Sequence, residues 1–346
     1  MQTLDLNIFD IAFRIETDSD YVFENLQKDF WLYLGKHGEK GGRVLKLKAL
    51  QQRPPYERVP PVEASFYHIG LICYKHKNTH YVDYMGRGLM IYDFSEEFGE
   101  IYHEDEIFLY ERTRLTVLSR LGELLDAVRL HRVHAVGFAK NNEAVICILP
   151  MGGGKTTIAL SLLRQDASVR LIADDVCFID GKGYVHPFLL RIGARDQALL
   201  EGISPQFITE INRPYYGVKY FLEPTYFKDR VAEKTKVQYI LVGKRVFQDK
   251  TDIRRMAKPR CFMPFVWSGV MGFGLPQLFE FFVRMDFSFL LNRIGAAFSR
   301  SVLFIGLIMR AKTYEIRLGR DLQDSVGCLS RFLSHEQGSA LKENLC

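Results

Sequence analysis

The feature that most restricts the fold of this chain is a glycine-rich segment between an apolar run and an amphipathic one. Residues 144–149 are wholly apolar (AVICIL), 150–157 read PMGGGKTT, and 158–163 (IALSLL) continue with helix-like spacing. An apolar run without alternation is typical of a strand buried on both faces. A strand, a glycine-rich turn, Lys-Thr and a helix together form the context of a phosphate-binding P-loop. The sequence therefore predicts an α/β unit with a nucleotide site.

The residues of this loop have distinct predicted roles. Glycines let backbone N–H groups converge on an anion, and the start of a helix adds further donors and a positive dipole end. The side chain of Lys155 is expected to reach the β- and γ-phosphates, and the hydroxyl of Thr156 to bind Mg²⁺. Contacts to ATP are predicted for Met151, Gly152, Gly153, Gly154, Lys155, Thr156 and Thr157.

The loop departs from the strict pattern G-x-x-x-x-G-K-[ST] at one position. Leu149 stands where the first glycine belongs, so the first turn must form without it, helped by Pro150 and the glycines at 152 and 153. A loop that only turns a corner is the alternative. The flanking strand and helix favour the nucleotide site.

A pair of carboxylates is expected beside the loop. Residues 169–173 (VRLIA) predict a short strand that ends in Asp174 and Asp175, and Asp174 follows Lys155 by 174 − 155 = 19 residues. A helix and a return strand of that length bring the pair to the carboxyl edge of the sheet, where open α/β folds bind ligands. Asp174 is the candidate Mg²⁺ ligand and either Asp a candidate base. An Asp pair that only caps a turn is the alternative.

One histidine and two arginines are further candidates. The strand predicted over 133–139 runs antiparallel to the loop strand across the turn 140–143 (KNNE), which brings His134 toward the same edge. A core or surface histidine is equally consistent with the sequence. Arg191 and Arg195 are candidate phosphate clamps, with a surface role as the alternative.

The rest of the chain predicts a smaller α+β N-terminal domain, 1–128, with acceptor recognition as its suggested role, and a catalytic domain, 129–346, with a helical C-terminal part. The boundary lies within a helix predicted over 106–130. The other predicted elements are a strand over 8–16, an exposed loop over 36–61, two or three strands over 66–94, packed helices over 262–309, a strand over 313–318 and a helix over 322–333.

Composition restricts the class of protein. The charge of 46 − 41 = +5 suits phosphate binding but does not by itself indicate nucleic acid. The longest apolar run near the C-terminus, 302–309, has 309 − 302 + 1 = 8 residues, whereas a membrane span needs about 20. No signal peptide is evident, and the six cysteines contain no C-x-x-C pair, so we expect free or buried thiols in a cytoplasmic protein. Peripheral membrane binding through the Phe- and Met-rich span 262–309 is an alternative to packed helices.

The segments VHAV (133–136), MGGGKTT (151–157) and LIADDV (171–176), with the hairpin between the first two, resemble the HPr kinase/phosphorylase-like serine kinases. The catalytic core of that family is shared with phosphoenolpyruvate carboxykinase. The resemblance covers about residues 130 to 195. It implies an α/β P-loop kinase core with a mixed sheet.

The resemblance also implies an activity. Such enzymes transfer a phosphoryl group from ATP, with Mg²⁺, to a serine hydroxyl of a peptide or protein, and they assemble as oligomers. It implies nucleotide and Mg²⁺ contacts from Gly154, Lys155 and Thr156, a base at Asp174 or Asp175, and a supporting His134. The glutamate-arginine-glycine segment of the bacterial enzymes is not recognisable, so dephosphorylation is not predicted. A kinase of a small hydroxyl compound and a non-catalytic ATP-binding switch remain alternatives.

Overall fold

The computed structural model describes residues 1–35, 44–150, 152–194, 196–213, 217–270 and 287–335. The protein is a mixed α/β protein with large mixed sheets, and the chain divides into two compact units. One comprises Met1–Leu124 with Pro276–Leu290, and the other Leu125–Leu275 with Leu291–Cys346. Two residues named in the sequence analysis, Met151 and Arg195, lie outside the described residues.

The first unit contains, in its described part, an eight-stranded mixed sheet and the helices α1 (Asp20–Asp29) and α2 (Glu106–Ala127). The strands lie in the order β1-β2-β3-β8-β7-β6-β5-β4, with β3 parallel to both of its neighbours and the other pairs antiparallel. The strands are β1 (Gln2–Ile8), β2 (Ile11–Thr17), β3 (Val44–Leu50), β4 (Ala64–His68), β5 (Leu71–His76), β6 (Thr79–Asp83), β7 (Gly88–Asp93) and β8 (Phe98–His103).

Three local predictions for this unit are wrong. The strand predicted over 8–16 belongs to a hairpin, because Phe9 and Asp10 adopt positive φ and reverse the chain between β1 and β2. The predicted exposed loop over 36–61 contains β3, whose residues 45, 47 and 49 are buried. The glycines and prolines on both sides of this short alternating run concealed it. The region 66–94 holds parts of four described strands, rather than two or three.

The described strands of the second unit form a nine-stranded sheet and a three-stranded sheet. In the larger sheet, β10 lies antiparallel between β11 and β12, and β18 lies parallel between β11 and β20. The smaller sheet has the order β15-β17-β16. The strands are β9 (Leu130–Val133), β10 (Val136–Lys140), β11 (Glu143–Ile148), β12 (Arg170–Ala173), β13 (Cys177–Asp180), β14 (Tyr184–His186), β15 (Ile192–Ala194), β16 (Ile208–Arg213), β17 (Gly217–Leu222), β18 (Thr235–Arg245), β19 (Asp252–Arg255) and β20 (Lys312–Leu318).

Helices cover both faces of the larger sheet. Alternate residues of β11 pack in two clusters: Val145 and Cys147 with the first pair of helices, α3 and α6, and Ile146 and Ile148 with the second pair, α4 and α5. A strand sandwiched in this way must be apolar on both faces, which is the physical reason for the run AVICIL. The bounds are α3 (Lys155–Gln165), α4 (Lys258–Phe265), α5 (Phe287–Arg310) and α6 (Leu322–His335), with a π-helical turn over Val266–Val270.

Short 3-10 helices join several of these elements. They are Trp31–Tyr33, Tyr56–Arg58, Gln197–Leu200, Pro205–Phe207 and Pro224–Arg230. The predicted hairpin of β10 and β11 is confirmed, with Asn141 and Asn142 at positive φ in its turn. The strand predicted over 133–139 is interrupted at residues 134 and 135, so His134 lies between β9 and β10 and not within the strand of the hairpin. The predictions of β20 and α6 are also confirmed.

The exposed face of α5 is apolar, through Ile294, Phe298, Val302, Ile305 and Met309. No helix in the described part of the chain is long and apolar enough to cross a membrane. The cysteines follow the prediction only in part. Four are free and buried, Cys73, Cys147, Cys177 and Cys261, whereas Cys328 is disulfide-bonded. Spacing along the chain does not reveal which sulfur atoms the fold brings within bonding distance.

Candidate functional site

A glycine-rich loop, residues 150 and 152–154, connects the buried strand β11 to helix α3. Gly152 and Gly154 have φ of +73° and +95°, a backbone conformation that L side chains rarely adopt. A Cβ on Gly153 would lie 2.8 Å from the carbonyl oxygen of Pro150. Gly154 is the N-cap residue of α3, and the first N–H groups of this helix receive no side-chain cap. The loop therefore requires its glycines and presents helix N–H donors to an anion.

The missing first glycine is compensated by a glycine on the neighbouring strand. The side chain of Leu149 is 2% exposed and packs over Gly243 of β18. A Cβ on Gly243 would lie 2.1 Å from Cδ2 of Leu149. The space that admits the leucine side chain exists because residue 243 has none. The end of β11 and the neighbouring strand β18 thus pack together without a glycine at position 149.

Lys155 is held against the loop. Its Nζ donates to the carbonyl oxygens of Leu149, at 3.0 Å, and Pro150, at 3.3 Å. Burial lowers the pKa of Lys155, an effect opposed by the carboxylates of Asp175 and Asp174. An ammonium group has a further N–H donor beyond these two bonds, which is available to a phosphate oxygen.

Asp174 lies beside the start of α3. The hydroxyl of Thr156 donates to Asp174 Oδ2 at 3.1 Å, and Asp174 Oδ1 is buried without a hydrogen-bond partner among the described residues. Burial and the charge of Asp175 raise the pKa of Asp174 to about 7, against the opposing effects of Thr156, Lys155 and Lys219. A buried carboxylate oxygen without a partner is costly unless a proton or a cation occupies it.

These groups suit a magnesium ion bound together with a nucleotide. Mg²⁺ keeps several waters and takes one or two protein oxygens plus phosphate oxygens, so it does not need a protein cage. Thr156 and Asp174 offer such oxygens, whereas no group of three or more His, Cys, Asp or Glu that could hold a metal occurs in the described ranges. Thr157, the next residue of α3, is half-buried.

His134 and Asp175 form the outer side of the site. His134 Nδ1 lies 3.0 Å from the backbone oxygen of Asp175 and 3.4 Å from its Oδ1. Because a carbonyl oxygen can only accept, Nδ1 carries the proton and Nε2 is the acceptor nitrogen. Burial lowers the pKa of His134, against the opposing charge of Asp175. The side chain of His134 is 7% exposed and that of Asp175 is 60% exposed, so the carboxylate can meet an incoming molecule.

A further residue beside the loop, Arg245 at the end of β18, is not predicted from the sequence. Its Nη2 would lie 2.7 Å from a Cβ built on Gly154, so the guanidinium lies against the glycine-rich loop at this residue. Its Nη1 donates to the carbonyl oxygen of Gly319 at 3.0 Å, which anchors the side chain. The signal was present in the apolar residues 239–242 followed by Gly-Lys-Arg. Only the parallel pairing of β18 with β11 brings this arginine to the loop.

Arg191 lies just before β15 and is buried. Its Nη1 is 4.0 Å from Glu223 Oε1, and its guanidinium lies 5.1 Å from the centre of the Phe221 ring. These contacts join Arg191 to the three-stranded sheet. The phosphate clamp expected from the sequence thus has a better candidate in Arg245.

A cavity of about 520 Å³ opens beside the loop, on the side of His134. One wall consists of residues 148–150 and 242–243, at the ends of β11 and β18. The other consists of His134, Pro264 and residues 267–268 of the π-helical turn that follows α4. Nothing in the sequence indicated this cavity, because its walls come from four separate segments.

No protein-family model matches the chain, and no curated protein matches it either. The chemistry of the site is therefore inferred from its geometry.

Proposed function

We propose that the second unit transfers the γ-phosphoryl group of Mg·ATP to a hydroxyl group, with a serine of a peptide or protein as the acceptor. The observation that carries the proposal is the contact of Thr156 with Asp174 at the start of α3, beside Lys155. The finer fold proposal, a phosphoenolpyruvate-carboxykinase-like P-loop core, is supported by the position of β10, which lies antiparallel between the loop strand β11 and β12, the strand that precedes Asp174 and Asp175.

The nucleotide would bind along the glycine-rich loop. The N–H groups that begin α3 would receive its phosphate oxygens, while Lys155 and Arg245 would supply positive charge. Thr156 and Asp174 would hold Mg²⁺, which neutralises charge on the transferred group when bound. These interactions position the nucleotide and stabilise charge, the main requirements of phosphoryl transfer.

The two carboxylates, left open by the sequence, receive different roles. Asp174 faces the Thr156 hydroxyl and has a buried oxygen, which favours the metal. Asp175 is the more accessible group and would accept the proton of the acceptor hydroxyl as the new P–O bond forms. The buried, neutral His134 would hold the backbone of Asp175 through Nδ1. It is a positioning residue in this scheme.

The proposal is tested by separating binding from transfer. Lys155→Ala is expected to weaken binding of Mg·ATP, whereas Asp175→Asn is expected to leave binding intact and to lower transfer by two orders of magnitude or more. Lys182→Ala, in the exposed turn after β13, is the matched control. Calorimetry gives the dissociation constant, and mass spectrometry of an incubated serine peptide detects the added phosphoryl group.

Wild-type transfer rates in both Lys155→Ala and Asp175→Asn would overturn this mechanism. Binding of Mg·ATP without transfer to any acceptor would instead support the ATP-binding switch. Acceptor recognition by the first unit and assembly into a homo-oligomer remain predictions.

A further inference from the structure

The cavity beside the loop has the size and chemistry of a binding site for an apolar group. Its volume of about 520 Å³ lies within the range of about 300–1,000 Å³ that is typical of ligand pockets. Ile148, Leu149, Val242 and Trp267 line it with apolar side chains. Binding of an apolar group in a cavity with such a lining is favourable, because it removes apolar surface from water.

The wall that carries Trp267 is an irregular helical segment whose backbone is hydrogen-bonded to Arg300. Pro264 lies inside α4, and the π-helical turn Val266–Val270 follows. Single π-helical turns are rare in proteins, and those that occur are often found at functional sites. Arg300 donates from Nη1 to the carbonyl oxygens of Gly269 and Val270, each at 3.1 Å, and is itself paired with Asp126.

The same wall leaves its aromatic side chain accessible. The indole of Trp267 lines the cavity and is 52% exposed. Half-exposed aromatic side chains on a fixed backbone are typical contact residues for ligands and peptides. The turn is thus fixed by hydrogen bonds from Arg300, while about half of its tryptophan is exposed.

One polar side chain connects the cavity to the proposed base. His134 lines the cavity, and its Nδ1 lies 3.4 Å from the carboxylate of Asp175. Its Nε2 is buried and has no hydrogen-bond partner among the described residues. A donor on a bound molecule would satisfy that nitrogen. His134 therefore lies between the cavity and Asp175, the proposed base that would accept the proton of an acceptor hydroxyl.

The adenine of ATP fits this cavity poorly. Adenine presents several nitrogen donors and acceptors, whereas the polar groups of the wall are already bonded within it: the hydroxyl of Ser268 donates to the backbone of Pro264, and its carbonyl accepts the N–H of His134. Apart from His134 Nε2, the described lining offers adenine few hydrogen-bond partners. Polar atoms of adenine left without a partner in an apolar site are costly.

We infer that the cavity binds a large aliphatic or aromatic side chain next to the serine that is phosphorylated, so that the acceptor is a peptide with a bulky apolar residue flanking its serine. The inference rests on the proposed function and names its acceptor. The flanking residue follows from the position of His134, which borders both the cavity and Asp175.

The experiment compares two synthetic peptides that differ only at the residues flanking serine, which are glycine in one and leucine or phenylalanine in the other. Wild-type protein is expected to phosphorylate the apolar peptide with a kcat/KM higher by about 10–200-fold, the range for apolar groups in hydrophobic pockets. Trp267→Ala, and Val242→Phe as a cavity-filling variant, are expected to lose that preference. Their affinity for Mg·ATP and turnover of the glycine peptide should not change.

A binding measurement makes the test independent of turnover. The chain has two tryptophans, Trp31 and Trp267, so Trp31→Phe leaves one reporter at the cavity. An apolar peptide with alanine in place of serine is expected to shift the emission of Trp267 to the blue, and the glycine peptide is expected not to do so.

The outcomes separate this inference from the proposed function. Equal kcat/KM for the two peptides, with no emission shift, would overturn the inference and leave the kinase intact. Weakened Mg·ATP binding in Trp267→Ala and Val242→Phe would overturn it by assigning the cavity to the nucleotide base. If no peptide is phosphorylated, the proposed function fails, and an emission shift would still support apolar peptide binding at the cavity.

Discussion

Gly243 offers a direct test of how the glycine-rich loop is supported. The perturbation is Gly243→Ala, which adds one methyl group on β18. That methyl would lie 2.1 Å from Cδ2 of Leu149 and 3.1 Å from Cγ2 of Ile316. Both neighbours are almost completely buried, at 2% and 0% exposure, although Leu149 and Gly243 also border the cavity beside the loop. The clash must move the leucine, the strand or both.

The expected magnitude follows from the packing. Adding a methyl group to a close-packed site costs about 1–3 kcal/mol, and replacing glycine inside a strand returns less than about 1 kcal/mol of that. We therefore expect Gly243→Ala to lower the free energy of unfolding by about 1–2 kcal/mol. Because the carbonyl oxygen of Leu149 accepts from Lys155, displacement of Leu149 is also expected to weaken nucleotide binding.

Urea denaturation measures the first effect, and the chain supplies a matched control. A Cβ added at Gly181 would meet no atom within 4 Å, and the φ of this residue is not positive, so Gly181→Ala is expected to be neutral or slightly stabilising. Leu149→Ala alone should cost about 2–5 kcal/mol through the cavity that it leaves. In the double variant the new methyl of residue 243 enters that space, so the combined loss should be smaller than the sum by about 1 kcal/mol or more.

Two results would refute this reasoning. One is a Gly243→Ala variant as stable as Gly181→Ala. The other is additivity of the Gly243 and Leu149 substitutions within about 0.5 kcal/mol, because residues in contact must couple. Either result would mean that Leu149 does not depend on the space over Gly243.

Three further predictions concern charges. Burial and the charge of Asp175 raise the pKa of Asp174 from 3.8 to about 7, so folding takes up a proton between these values and wild-type stability falls as the pH rises through this interval. Asp174→Asn should remove this pH dependence and be more stable than the wild type at pH 8, by up to about 4 kcal/mol. A variant that is less stable than the wild type in urea titrations at pH 8 would contradict this prediction. Burial alone would raise the pKa of Asp166, but Lys140 and neighbouring hydrogen bonds lower it to about 2. Lys140→Met should therefore cost about 1–2 kcal/mol above pH 4 and little at pH 2, and an equal loss at both pH values would argue against the ion pair. Arg245→Gln should weaken binding of Mg·ATP by about tenfold in calorimetry, and an unchanged affinity would remove it from the site.

The sequence alone was sufficient for elements whose signals are local. The apolar run of β11, the turn at Asn141 and Asn142 and the glycine-rich loop each depend on neighbouring residues in the chain, and the structure has all three. The strand β3 was missed because its alternation is only seven residues long and lies between glycine- and proline-rich segments. Local patterns of that length do not outweigh strong breakers on either side.

The site itself divides in the same way. Thr156, Asp174 and His134 come from three segments whose connections are short enough to predict a common edge, and they do lie together there. Arg245 and Gly243 belong to β18, which is separated from the loop along the chain by α3 and the six strands β12 to β17. No local pattern specifies that β18 rather than another strand lies parallel to β11.

The amino-acid sequence by itself determined the glycine-rich loop that is the proposed anion site, because glycine torsion angles and helix N–H groups are properties of a few consecutive residues. The tertiary structure alone decided what surrounds that place: the arginine over the loop, the glycine that admits Leu149, and the apolar cavity beside His134. These features arise from the pairing of strands and the packing of helices distant in the chain. Such pairing minimises the free energy of the whole fold and leaves no signature within any one segment.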